Sequence, residues 1–467
     1  MSNVNTSTSL KPENVMPPMP ADLSRHKWRD AILTFLICTA SGLTAIAPFE
    51  SLAVVGAALL ISFVAILPEM GLILSLYAGR FDSIPFRYLF PKWLYVTLPL
   101  LILTALGLGL MRSKYKGGLS KPVVGWGFPI AMSVVLLAGV IYTQGPVYGT
   151  SKALEFFLYT IPLYFLVQWI LRGSFERTAN LLICAFVVSG FFAVAGLASG
   201  GGAESRVAAF GGGPNVFSRL VSFGVLALPV VWYRFRGVIM RVGIIGGVAL
   251  MSLAVLMSGS RGSFIALLIC MLAVLFLWPT KGRNLWKIIL FSILLAFSVW
   301  ACIRFAEQLV MLTRLLMLFT EEGGGASVSL RVNMITTALQ YATDSPLLGR
   351  GTGSFPMLYF GSDFRYYPHN IFAEIFAENG LLGLGVLVGF LFFTLRKGLY
   401  LWKKCGLPAE QRRIVLAAGA CFVFSVIVAQ VSGDFYDNRM IWFFGSAVLA
   451  LTQNLPITRG TQDIQDT

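Results

Sequence analysis

Histidine and acid are scarce in this 467-residue chain, which has two histidines and 21 acidic residues. No HExxH and no DxD between its apolar runs occurs, and the six cysteines (Cys38, Cys184, Cys270, Cys302, Cys405 and Cys421) show no CxxC spacing. Neither a disulfide framework, a zinc site nor a dedicated metal cage is expected. Charge is scarce as well: 12% of residues are Asp, Glu, Lys or Arg, against roughly 25% in soluble domains. That shortage excludes a soluble globular protein. What the chain has instead is apolar sequence, 57% of residues with a mean hydropathy of +0.77. Runs of about 20 such residues span a bilayer as helices. The net charge of +15 is scattered through these runs rather than gathered on a soluble face, so it speaks of membrane topology, not of nucleic acid.

The apolar runs fall near 30–47, 50–66, 68–79, 92–111, 123–143, 152–171, 178–199, 216–233, 242–258, 262–279, 286–306, 370–394, 414–431 and 440–454. They predict an all-α polytopic membrane protein with about 14 transmembrane helices, within a range of 12 to 14. Pro68 decides between 13 and 14, since around it either two helices form or 47–81 is one tilted, kinked helix. Residues 1–27 lack a signal-peptide pattern and are expected to be a disordered cytoplasmic tail. Spans 1–11 occupy 28–306, a large outer loop 307–368, spans 12–14 residues 369–454, and a second cytoplasmic tail 455–467.

Charge sets the expected orientation. Fourteen spans with the N-terminus inside place the clusters Arg112/Lys114/Lys116/Lys121, Arg234/Arg236/Arg241, Lys281/Arg283/Lys287 and Arg396/Lys397/Lys403/Lys404/Arg412/Arg413 in the cytoplasm, as the positive-inside rule requires. The basic residues left outside are Arg80, Arg87, Lys92, Lys152, Arg206, Arg219, Arg261, Arg304, Arg314, Arg331, Arg350, Arg365 and Arg439. All but two are arginine, whose planar fork of donors matches phosphate oxygens in a way lysine cannot. An outer phosphate or diphosphate site is one explanation; snorkelling at helix ends is the other.

Within the large loop, Glu307–Phe319 reads as an interfacial amphipathic helix, Gly323, Gly324 and Gly325 as a flexible break, and Ser327 or Ser329 as the cap of a second helix reaching Tyr341 and carrying Arg331. A turn-rich stretch, Ser345–Ser354, follows. Its Gly349-Arg-Gly-Thr-Gly353 lacks the preceding strand and Lys-Ser/Thr of a nucleotide loop, so nucleotide binding is not expected. His369 stands where this loop enters a helix with Glu374 and Glu378 on one face. Its ordinary pKa suits proton transfer near neutrality, and ionisable groups within a span point to function. Ser258–Ser263, with Arg261, and Arg206–Asn215 each open a helix whose positive N-terminus suits an anion.

Together these residues, Arg206 with Pro214 and Asn215, Ser260-Arg261-Gly262, Arg331 with Ser345–Phe355, and Pro368-His369-Asn370 leading to Glu378-Asn-Gly-Leu-Leu-Gly-Leu384, resemble the O-antigen ligase family of membrane glycan transferases. The family includes the lipopolysaccharide ligase and related O-antigen and exopolysaccharide polymerases. The resemblance covers about residues 200–390 in its motifs and implies a GT-C-like fold. It implies a metal- and cofactor-independent glycosyltransferase of the bacterial inner membrane, acting at the periplasmic face. The donor would be an undecaprenyl-diphosphate-linked glycan and the acceptor lipid A–core, or a second glycan in a polymerase. By the same resemblance Arg261, Arg331 and Arg206 would bind the diphosphate and His369 would deprotonate the acceptor, with Asn370, Glu378, Arg350 and Asn215 in support. A lipid-linked glycan transporter is the more remote alternative. It would set its ionisable residues near the midplane, whereas here they lie at the outer ends of spans.

Overall fold

Strand is absent from the described residues, which are 67–78, 122–199, 206–209, 213–278, 326–404 and 406–454 of a computed structural model. All of them fall in one unit, residues 60–467. In chain order the helices are α1 (Pro68–Ala78), α2 (Gly127–Tyr142), α3 (Pro146–Leu171), α4 (Phe175–Ala198), α5 (Pro214–Arg234), α6 (Val238–Met257), α7 (Arg261–Leu277), α8 (Ala326–Asp344), α9 (Phe355–Phe360), α10 (Ile371–Lys404), α11 (Ala409–Val428) and α12 (Met440–Leu451). Among the described residues six, α3, α4, α5, α6, α10 and α11, are long and apolar enough to cross a membrane. The family finding below and these six helices together describe a membrane protein. The apolar runs at 30–47, 50–66, 92–111 and 286–306, the amphipathic segment 307–319 and both tails lie outside the described residues.

Local chemistry sets the helix starts. Proline occupies one of the first two positions of α3, α5 and α9, where its missing N–H costs nothing. Ser174 caps α4 by accepting the Arg177 N–H, and Asn370 caps α10 through Oδ1, which accepts the N–H groups of Phe372 and Ala373. Pro68 opens α1 after a non-helical Leu67, so the run from 68 begins its own helix. Ser327 and Ser329 lie inside α8 rather than at its cap. The α3 run begins six residues earlier than its hydropathy suggests. Its first turns hold polar Thr150, Ser151 and Lys152, and Lys152 is fully buried and paired.

The up-and-down course of the helices sorts the connections to two ends of the bundle. One end carries the short turns α3–α4, α5–α6 and α10–α11. The other carries residues 206–209, the α6–α7 turn at 258–260, the stretch 345–370 and the α11–α12 connection 429–439.

Helix α10 is broken. Gly380 has φ 60° and ψ −159°, a region essentially reserved for glycine. The stretch 346–351 fills the gap: Pro346 and Leu347 carbonyls accept the N–H groups of Leu381 and Leu382, while the N–H groups of Arg350 and Gly351 donate to Ala377 and Glu378 carbonyls. Backbone groups freed by the break are therefore satisfied inside the protein, as a membrane interior demands. Thr352, fully buried, donates from Oγ1 to the Leu136 carbonyl and accepts from Asn379 Nδ2, both at 2.8 Å. Gly139 and Gly149 make room for it, since a Cβ on either would collide with Thr352. Gly349-Arg-Gly-Thr-Gly353 is thus a plug in a broken helix.

Candidate functional site

The connection 429–439 is the hub on which the site is built. Its Ala429 carbonyl accepts the Ile371 N–H at 3.1 Å, the Gln430 carbonyl accepts from Asn370 Nδ2 at 3.4 Å, and the Val431 carbonyl accepts from Arg331 Nη1 at 3.1 Å. Gly262, next to Arg261, packs directly against Val431. Gly433 lies under the Arg219 guanidinium, whose Nη1 donates to Asn438 Oδ1 at 3.0 Å. One short connection thus brings together Arg219 from α5, Arg261 at the start of α7, Arg331 from α8 and the His369–Asn370 entry to α10. Packing of α8 reinforces this, because Met334 and Ala338 form a buried cluster with Phe355, Ala373 and Ala377.

His369 has φ 61°, an uncommon left-handed conformation for a residue with a side chain. Its Nδ1 is buried without a hydrogen-bond partner among the described residues, and its ring meets that of Tyr367 edge-to-face at 4.6 Å. Burial, with the positive charges of Arg331 and Arg219, pushes its pKa down to about 4. At neutral pH the imidazole is uncharged and can take a proton.

Arg206 and Asn215 meet, with Nη2 donating to Oδ1 at 2.7 Å, while Arg206 Nε donates to the Ser258 carbonyl at 2.8 Å. Arg206 thus ties the end of α6 and the start of α5 to the turn that presents Arg261. Arg350 stands apart from the hub: it belongs to the plug and pairs with Asp344 at 2.5 Å, both partly exposed. Glu378 is not open to a substrate. With Glu374 it holds Lys152 at 2.7 and 2.6 Å, and all three side chains have no exposure. Glu378 also accepts the Gly353 N–H at 2.8 Å, and Glu374 the Phe435 N–H at 3.1 Å. This triad locks α3, α10, the plug and the hub together.

Three participants escaped the sequence reading as site residues: Arg219, Lys152 and the Arg365–Asp434–Asp437 cluster. Arg365 reaches Asp434 at 3.0 Å and Asp437 at 2.6 Å, and Tyr148 donates to Asp434 at 2.9 Å. Burial opposes the Arg365 charge, but the two carboxylates outweigh it and hold the guanidinium more firmly protonated. The available signal was the rarity of acids: two in the six residues Asp434–Arg439, between apolar runs, ask for partners.

Residues 246–388 match the O-antigen ligase family. The resemblance read from the sequence is borne out over that segment, which includes Arg261, Arg331, Arg350, His369, Asn370 and Glu378 but not Arg206 or Asn215. No curated protein matches the chain. The O-antigen ligase match supports a glycan transferase of the ligase or polymerase type, an enzyme whose reactants are a lipid-linked glycan and a glycan acceptor.

Proposed function

We propose that this chain is a metal-independent, inverting glycan transferase. It moves an oligo- or polysaccharide from undecaprenyl diphosphate to an acceptor hydroxyl at the periplasmic face of the bacterial inner membrane. The observation that carries the reading is a neutral histidine flanked by Arg331 and Arg219 beside the start of α7. In the proposed step His369 accepts the proton of the acceptor hydroxyl as its oxygen bonds to the anomeric carbon. The bond from that carbon to the donor diphosphate breaks with its electron pair on the departing oxygen. Arg261 and Arg331 bind the diphosphate and neutralise the charge that develops there, with Arg219 adding to the field and Arg206 holding the turn of Arg261 in place. Attack opposite the leaving group inverts the anomeric centre. Diphosphate binding offsets the arginine charges that depress the His369 pKa, so the base strengthens when the donor is in place.

The ligase form of this reaction uses lipid A–core as acceptor, and a polymerase would use the same donor and site with a second glycan. A deletion strain separates them on a lipopolysaccharide gel: a ligase leaves uncapped lipopolysaccharide with polymer on its carrier, a polymerase a single-repeat product. The orientation rests on the basic turns α3–α4, α5–α6 and α10–α11, which the positive-inside rule assigns to the cytoplasm. The reading is tested by reconstituting the purified chain with an undecaprenyl-diphosphate glycan and candidate acceptors, without added divalent metal. Transfer by the wild type and its roughly tenfold impairment in Arg261→Lys and Arg331→Lys support it. Movement of the lipid-linked glycan across vesicles with no new glycosidic product would overturn it.

A further inference from the structure

Between the plug and His369 the chain places six aromatic residues in thirteen positions, Phe355, Tyr359, Phe360, Phe364, Tyr366 and Tyr367. They form one continuous series. Phe355 stacks on Tyr359 with centroids 5.4 Å apart, Tyr359 meets Phe360 at 4.7 Å, Phe360 meets Phe364 at 5.5 Å and Tyr366 at 4.8 Å, and Tyr366 adjoins Tyr367 at 6.3 Å. The series ends against the His369 ring. Its inner end, Phe355, is fully buried, whereas Phe360 and Phe364 are 46% and 43% exposed.

The series is held rigidly from below. The Asp363 carboxylate accepts the Val147 and Tyr148 N–H groups at the first turn of α3, at 2.7 and 3.1 Å. Arg365 is tied to Asp434 and Asp437, and its guanidinium lies over the Tyr436 ring at 4.5 Å. Rings that only rested among lipid headgroups would gain nothing from such anchoring, whereas a ligand that must be presented in one register gains from every degree of freedom already fixed.

We infer that this aromatic series is the platform on which the acceptor glycan lies, its reacting sugar at Tyr367 and the rest of the saccharide running back over Phe364 and Phe360. Pyranose rings carry a face of C–H groups that packs on an aromatic face, with hydroxyls at the edge for polar partners. The platform leads directly to the residue proposed to take the acceptor proton, which is why a sugar acceptor, rather than the polyprenyl tail of the donor, is its occupant. The inference rests on the transferase reading for its chemistry, but it is tested separately.

The probe is saccharide released by mild acid from surface glycans of the source strain, its binding to the full-length chain in detergent followed by saturation-transfer NMR. The comparison is wild type against Phe360→Ala/Phe364→Ala, with Phe360→Tyr/Phe364→Tyr as a conservative pair. In the alanine pair the saccharide signal falls several-fold and the acceptor KM rises about tenfold, with donor KM and kcat at saturating acceptor unchanged; the tyrosine pair restores both. Unchanged saccharide signal and acceptor KM in the alanine pair would overturn the platform. So would loss of vesicle association with saccharide binding intact, which would mark the rings as a lipid anchor. Saccharide binding lost in the alanine pair, in a wild type that transfers nothing, would uphold the platform and reject the transferase reading.

Discussion

The two ends of the bundle hold similar cations in opposite circumstances. At the end with the short turns, Arg236 and Arg241 are exposed and lie over the rings of Tyr233 and Trp232 at 4.9 and 5.1 Å, and Arg413 lies over Tyr233 at 4.6 Å. Cations over aromatic rings at the ends of apolar helices are what a membrane–water boundary favours. At the other end, Lys152 and Arg219 are almost wholly buried and Arg331 is partly so, while Arg365, itself exposed, is held by two buried carboxylates. They engage carboxylates, an amide oxygen and backbone carbonyls. The difference shows that a count of charges describes orientation at the first end and geometry at the second. Exposed cations act additively and weakly. Buried ones fix the positions of their neighbours and shift the pKa of a histidine.

The largest expected effect lies at the buried end. His369→Ala should lower transfer by about 10²–10⁴-fold, with protein level and donor binding retained, as read by product formation and by donor titration. Near-normal transfer would remove the general-base assignment. Next comes Lys152→Met, which leaves two buried carboxylates without their cation. A loss of about 3–5 kcal/mol is expected on removing one partner of a buried pair, seen as a fall in folded membrane-inserted protein and a lower melting midpoint. A fully stable variant would show that the triad does not lock the site. Arg331→Lys keeps the charge but not the fork, and should cost about tenfold in kcat/KM; an unimpaired variant would reduce Arg331 to a general electrostatic role. At the basic end, Arg236→Gln or Arg241→Gln alone should change stability by no more than about 0.5 kcal/mol and leave the transfer rate unaltered. A strong rate effect there would erase the contrast between the ends.

Much of this arrangement was legible in the sequence. The hydropathy runs located α4, α5, α6, α7, α11 and α12 within a few residues, because lipid imposes a uniform apolar requirement along a span. His369, Arg261 and Arg331 drew attention as the outer histidine and as arginines at or near helix starts on the side opposite the basic clusters. Three features were hidden. The start of α3 was masked by its polar first turns, of which Thr150 and Ser151 are exposed while the burial of Lys152 depends on Glu374 and Glu378, more than 200 residues away. The break in α10 carries only a glycine in a helical pattern, and its stability comes from the separate stretch 346–351. The hub at 429–439 looks like an ordinary connection, since its work is done mostly by carbonyl groups, which every residue has.

The most direct test is the pH dependence of kcat/KM for the donor in wild type and Arg331→Gln. Burial, reinforced by the charges of Arg331 and Arg219, disfavours the protonated imidazole, so the wild-type rate should stay level from neutrality down and fall only as pH approaches about 4. Removing one of those charges should move that acid limb to higher pH. A limb at the ordinary histidine value near 6.5 in both proteins, or one that does not move in Arg331→Gln, would contradict the claim that the arginines and His369 form one functional unit.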